Sequence, residues 1–433
     1  MGQARRCGRN DGAVYLRELA VVPTFLAGDA ANFSRDGAGV LWLPGAYIQL
    51  SLRGDAGYTQ TAPPGWALER AVGVDSVQTG TSTLVLIPAL ADVWRFGRWD
   101  DSWDVRLSLD EDRFAHTPYS ADYSAGTWSV TGTVTRTPGQ IGPTGTAIAT
   151  RLQCPAGTNF LSTYTGGLLN GTQQIGSQWV RPHSAPADTG VLTTGGTPLF
   201  GIGYILAADA RWRRVFSQGT PAGGTFYVYP VFSSPSTPIL GSAAHDWDCY
   251  GTCIETGSYP TEYMPTTGAS FMRAGTLLRA LSGTWDRGIV AGRIGIEIPG
   301  IRFKAAPAEY TLSPPYFWHT HSGFSCWFEP TTRVMTMRAT LASATNTVTL
   351  PAWARYDLMD LFIAYGGGQP TIVRCRLNGG AVVNLPVTGS PIGDVVANNR
   401  DLYFLNSNAG GQVSCWAPEV VRFWRNGVPP WAA

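Results

Sequence analysis

The chain offers few places where side chain types and spacing could do chemistry. The closest to a catalytic pair is Asp246-Trp247-Asp248. On a strand its two carboxylates share a face about 6.7 Å apart, and glycoside hydrolysis uses two carboxyl groups roughly 5–10 Å apart. Paired aspartates are common on surfaces, so a structural role is the expectation. In Trp318-His319-Thr320-His321 two histidines alternate, but no carboxylate stands beside them, and a polar strand face is expected. His245, Cys249 and Cys253 also share a face of a regular strand, with successive members about 13 Å apart. A tetrahedral zinc site cannot gather them without a sharp bend, so ordinary packing is expected. Asp100, Asp101 and Asp104 make an oxygen-rich stretch and are the calcium candidates, without the spacing of a calcium-binding loop. Asp110-Glu111-Asp112 reads as a solvated turn.

Nucleophilic and phosphate chemistry find no footing. There is no Gly-x-Ser-x-Gly elbow and no His-Glu-x-x-His helix motif. Lys304 is the only lysine, in Arg302-Phe303-Lys304, which rules out a Walker-type phosphate loop. The chain therefore reads as a non-enzyme with no required cofactor. What remains is aromatic. Sugar rings stack their C–H faces on indole and phenol rings while polar partners take the hydroxyls. The candidate stackers are Trp94, Trp99, Trp103, Trp179 and Trp247 in the first half, and Trp318, Trp327 and Trp416 in the second. Each competes with the ordinary use of Trp in sandwich cores.

These residues must be held by β-structure. The 433-residue chain is only 14% charged but 12% aromatic, with 52 Gly and 16 Trp. That composition suits short strands joined by Gly/Pro turns and argues against disorder. A net charge of +1 leaves no electrostatic footprint for nucleic acid. No stretch approaches the roughly 18 apolar residues of a membrane helix; the apolar run from Thr83 to Leu90 is short and contains Pro88. No apolar segment follows Met1-Gly2-Gln3-Ala4-Arg5-Arg6-Cys7, so no signal peptide is expected. The 7 scattered cysteines suit a chain made in reducing cytoplasm. Arg53-Gly54-Asp55 is an adhesion tripeptide of a kind that chance often supplies.

Three regions follow from the punctuation. Residues 1–82 are irregular, with short strands such as Val40–Leu43 and Tyr47–Leu52 between Gly/Asp turns. Residues 83–275 hold the period-two run Thr127–Thr135, turns at Pro138-Gly139 and Gly142–Gly145, and strands at Ala147–Leu152 and Thr225–Phe232. Residues 276–433 carry the hairpin signals Asn378-Gly379 and Asn426-Gly427, where both turn positions favour positive φ. The expected fold is all-β: two tandem antiparallel sandwiches behind a short N-terminal anchoring or edge-strand region. Coiled-coil heptads and collagen repeats are absent, so no fibre shaft is expected.

One stretch carries a resemblance. Cys253-Ile254-Glu255-Thr256-Gly257-Ser258-Tyr259-Pro260-Thr261-Glu262-Tyr263-Met264-Pro265-Thr266-Thr267-Gly268, followed by Arg273, is a proline-punctuated polar run after a strand. It resembles a segment of bacteriophage virion proteins with the pattern Gln-(Leu)-Glu-x-Gly-Ser-x-Pro-Thr-Ser-Tyr-Ile-Pro-Thr, with Cys253 in place of the Gln. Gly142–Leu152, Trp212–Val215 and Phe33-Ser34-Arg35 with Ala38 resemble other segments of those proteins, and the likeness spans roughly residues 85–433. Asn406 departs from the Gly of their Leu-Tyr-(Phe/Ile)-Gly segment. The resemblance implies a jelly roll of carbohydrate-binding-module type followed by a concanavalin- or laminin-G-like domain. It implies a head fibre, capsid decoration or tail-associated protein of the virion, held by capsid or tail proteins. It further implies symmetric assembly, with trimers common, and host surface polysaccharide as the ligand. A purely structural virion component and, last, a glycan-active enzyme are the competing expectations.

Overall fold

The computed structural model describes the strands between Ser34 and Leu107 by their backbone. From Arg113 to Trp424 it describes most residues, with breaks at 166–172, 184–189, 206–210, 234–243, 308–315 and 405–415 and shorter ones between. The described residues form antiparallel sheets and contain no α-helix. The all-β, tandem-sandwich expectation holds.

The first sandwich is organised on the long strand His245–Thr256. Gln174–Pro182 runs along one side of it and pairs in turn with Arg213–Gly219. The other side is shared end to end. Ala149–Cys154, backed by Thr135–Gln140, takes the first half, and Arg113–Ala115, backed by Phe271–Arg273, takes the last turn. The facing sheet has the order Ser129–Thr131, Asn159–Thr165, Phe226–Ser233, Gly190–Gly195, Leu199–Ile205. Between the sheets pack Leu152, Val180, Trp247, Cys249 and Ile254 from one side and Leu161, Phe226, Val228 and Val231 from the other.

The back of the long-strand sheet is buried as well, under Trp179, Trp212, Tyr250, Cys253 and Tyr263. A bulge at Gly251 makes both faces apolar. Its φ of +67° lies in the left-handed region, and a Cβ there would sit 3.1 Å from the Tyr263 ring. Before the bulge Trp247 and Cys249 point inward; after it Ile254 does, while Cys253 turns to the back. The regular strand expected over His245, Cys249 and Cys253 is thus corrected. The two thiols lie on opposite faces of the sheet, and among the described residues no metal-binding group of His, Cys, Asp or Glu exists.

The second sandwich has two sheets over one continuous core. One runs Asn346–Thr349, Val334–Arg338, Ser325–Glu329, Tyr316–His319, Leu402–Phe404, Leu277–Ala280, Trp66–Glu69. The other runs Ala46–Ser51, Val420–Trp424, Arg293–Phe303, Leu358–Gly366, Ile372–Leu377, Val383–Asn384, with Trp416–Ala417 also on Arg293–Phe303. Ile294, Ile296 and Ile298 enter the core at period two, as do Met335 and Met337 opposite. The Asn378-Gly379 hairpin has φ of 50° and 70° at its two turn residues, as that dipeptide dictates.

The N-terminal strands Ala46–Ser51 and Trp66–Glu69 are the edge strands of these two sheets, so the second sandwich draws on both ends of the chain. Strands between Thr59 and Leu107, other than Trp66–Glu69, pair with one another. The first described strand of the first sandwich is Arg113–Ala115. A difference from the sequence reading lies at Thr127–Thr135. Gly132, at φ +70°, breaks the run into an exposed edge strand on each sheet, Ser129–Thr131 and Thr135–Gln140. Pro138 is not a turn residue but sits at a bulge of that edge strand, where a missing N–H costs no ladder bond.

Candidate functional site

The proline-punctuated stretch is a strap. After the long strand ends, Glu255, buried at 1% exposure, accepts hydrogen bonds from the Thr261 backbone N–H at 3.0 Å and from its hydroxyl. Tyr263 reaches the Ser120 hydroxyl at 2.6 Å. The Thr266 hydroxyl donates to the Thr117 carbonyl at 2.5 Å, and Gly268 N–H to that of Pro118 at 2.7 Å. Tyr259 is buried in the second sandwich's core, with the Lys304 ammonium 5.1 Å from its ring centre. Arg355 of that sandwich lies 4.9 Å from the centre of the Phe216 ring of the first. Among the described residues, Tyr263, Thr266, Gly268 and the Thr261 that binds Glu255 are turned to fastening the strap.

The tryptophan candidates separate. Trp179 and Trp247, at 1% exposure, and Trp318, at 0%, are core residues and cannot stack on a sugar; these three are corrected. The reason is local: Trp247 points between the sheets, Trp179 lies under the back face, and Trp318 donates to the Tyr365 hydroxyl at 3.0 Å inside the second core. Trp327 is half-buried on the outer side of its strand, and the Arg338 guanidinium lies 5.1 Å from its ring centre. Trp94 and Trp416 are described by backbone alone, in strands facing Gln60 and Phe303. Trp99, Trp103 and the calcium candidates Asp100, Asp101 and Asp104 lie outside the described residues. His319 is buried and stacks on Tyr403 at 5.1 Å; His321 is outside the described residues.

Asp246 and Asp248 do share the back face of the long strand, but each is already engaged. Arg151 grips Asp246 through Nε at 2.7 Å and Nη2 at 2.6 Å. Asp248 accepts from Arg181 Nε at 2.8 Å and lies 2.8 Å from His183 Nδ1. The Asp248 side chain is 1% exposed, whereas Arg181 and His183 are each 27% exposed. Carboxylates held this way have their oxygens already occupied by charge-assisted hydrogen bonds. The Arg181 guanidinium also lies over Trp212, 5.0 Å from the ring centre. The indole N–H of Trp212 has no hydrogen-bond partner among the described residues, so the ring serves as an apolar plate.

Sequence reasoning singled out the two aspartates and passed over their cations. The signal was present: Arg181 near the end of one strand and His183 just beyond it alternate as Asp246-x-Asp248 does on the neighbouring strand. It also passed over a second buried pair. Glu297, at 0% exposure, accepts from Arg422 Nη1 at 2.8 Å and from the Trp424 indole N–H at 2.9 Å.

No known protein family matches the chain, and no curated protein is similar to it.

Proposed function

We propose that this chain is a bacteriophage virion surface protein, a fibre, decoration or tail-associated adhesin, that binds host glycan through its β-sandwiches without enzymatic activity. The observation that carries the reading is the order of parts. The first sandwich's long strand ends at Thr256, the strap follows at 257–268, the edge strand Phe271–Arg273 completes that sandwich's sheet, and the second sandwich's strands resume at Leu277. That is the order implied by the resemblance of Cys253–Gly268 to phage virion proteins. On this reading the protein assembles as a symmetric homo-oligomer, the trimer being common in such proteins, and is held by capsid or tail proteins. Trp327, half-buried beneath Arg338, is the stacking residue among the described candidates.

A glycan array that includes host surface polysaccharide tests the reading, with Trp327→Ala as the variant. Saturable binding weakened in the variant supports an adhesin with its site on the second sandwich. A folded protein that binds no probe favours the second reading, a structural virion component. Two findings favour that alternative: the burial of Trp179, Trp247 and Trp318, and the devotion of the strap to internal contacts.

A further inference from the structure

Of the ionisable clusters among the described residues, one is built with a sealed centre and an open rim. Asp248 is buried and fixes two cationic or polar side chains by separate oxygens, Arg181 on Oδ2 and His183 on Oδ1. Trp212 supports the guanidinium from below. The register places Arg151 directly across from Asp248, and Asp246 fixes Arg151 in turn. Asp248 is thus a buried orienting group, while Asp246 and the three donors reach the surface. Arg151, Arg181 and His183 each keep about a quarter of their side-chain surface exposed. Arg181 has spent only Nε and retains both terminal nitrogens; Arg151 retains Nη1; His183 retains Nε2. None of these four atoms is a buried unsatisfied group, so they meet solvent.

Arginine forks of this kind match the planar, bidentate geometry of a carboxylate and also fit phosphate. Donors whose rotamers are already locked lose little entropy when a ligand arrives. We infer that Arg151, Arg181 and His183 form a binding site for an anionic sugar unit, a carboxylated or phosphorylated residue of an acidic polysaccharide. The inference rests on the glycan-binding reading and adds both a site on the first sandwich and a ligand class. A second contribution follows from Trp212 being covered: the site grips charge instead of stacking a ring.

The test uses the full chain on an array of carboxylated, phosphorylated and neutral glycans, followed by titration calorimetry. The calorimetric probes are oligogalacturonate and its fully methyl-esterified form, which keeps the sugar skeleton and removes the charge. Expected are selective retention on the anionic probes and at least tenfold weaker binding by Arg181→Gln, which urea titration should show still folded. Where carboxylated probes are retained, the ester should bind at least tenfold more weakly than the acid. Retention on phosphorylated probes alone would assign the anion as phosphate. Binding of neutral probes alone, or anionic binding unchanged in both Arg181→Gln and Arg151→Gln, would overturn the inference and leave the glycan reading standing. Failure of every probe to bind the folded protein would remove both.

Discussion

Two buried carboxylates, one in each sandwich, have the same chemistry and opposite settings. Glu297 lies on the central strand of its sheet with Ile294, Ile296 and Ile298 pointing the other way. Its partner Arg422 is itself only 3% exposed, so anion and cation are sealed together. Asp248 is equally sealed, yet its partners Arg181 and His183 reach solvent. A sealed pair serves cohesion, since both charges are shut away from solvent. A sealed anion under exposed cations serves orientation, since its partners remain free to engage something else. Exposure of the partner, and not burial of the carboxylate, separates the structural pair from the candidate site.

That distinction can be broken by mutation, beginning where the largest effect is expected. Glu297→Ala strands Arg422 and the Trp424 N–H in the interior, and loss of one member of a buried pair costs about 3–5 kcal/mol. A urea titration should show the second sandwich melting much earlier. Asp248→Asn keeps a hydrogen-bonding oxygen but removes the charge beneath half-exposed cations. The expected cost is smaller, about 1–3 kcal/mol, accompanied by loss of anionic-glycan retention in the array. If both variants lost equal stability, the comparison would fail.

Acid sharpens the comparison by isolating a group that belongs to neither pair. His116 lies 3.1 Å from the Thr256 hydroxyl beside Glu255, and burial pulls its pKa down to about 4 against the opposing pull of the Glu255 charge. The unfolded chain takes up a proton near pH 6.5 that the folded chain refuses until near pH 4. Stability is therefore full above pH 6.5 and falls as the pH drops toward 4, by about 1–2 kcal/mol once partial exposure is allowed for. His116→Gln should flatten the pH dependence of the urea midpoint across that window. For Arg181→Gln a modest stability loss is expected, about 1 kcal/mol, because the amide can still donate to the buried Asp248 and His183 remains on its other oxygen.

The sequence made the fold legible where its signals were local. The Asn378-Gly379 hairpin read directly, because a turn that favours positive φ is a local property. Gly251 hid the facing of Cys249 and Cys253, since one glycine in a polar strand does not announce a bulge. The roles of Ala46–Ser51 and Trp66–Glu69 as edges of the second sandwich were also hidden in detail, because strand partners far apart in sequence leave no periodic mark. At the candidate site, Asp246 and Asp248 stood out as a pair, but their meaning depends on Arg151, Arg181 and His183 from two neighbouring strands. Tryptophan type alone could not separate buried Trp179, Trp247 and Trp318 from half-buried Trp327.

The most direct test of the account is to follow the arginine Nε–H signals by NMR while titrating whichever anionic oligosaccharide the array selects. Shifts at Arg181 and Arg151, with Arg422 unmoved, are expected from an open rim over a sealed anion. Saturable binding that leaves Arg181 and Arg151 in place, or that moves Arg422 as much, would contradict it.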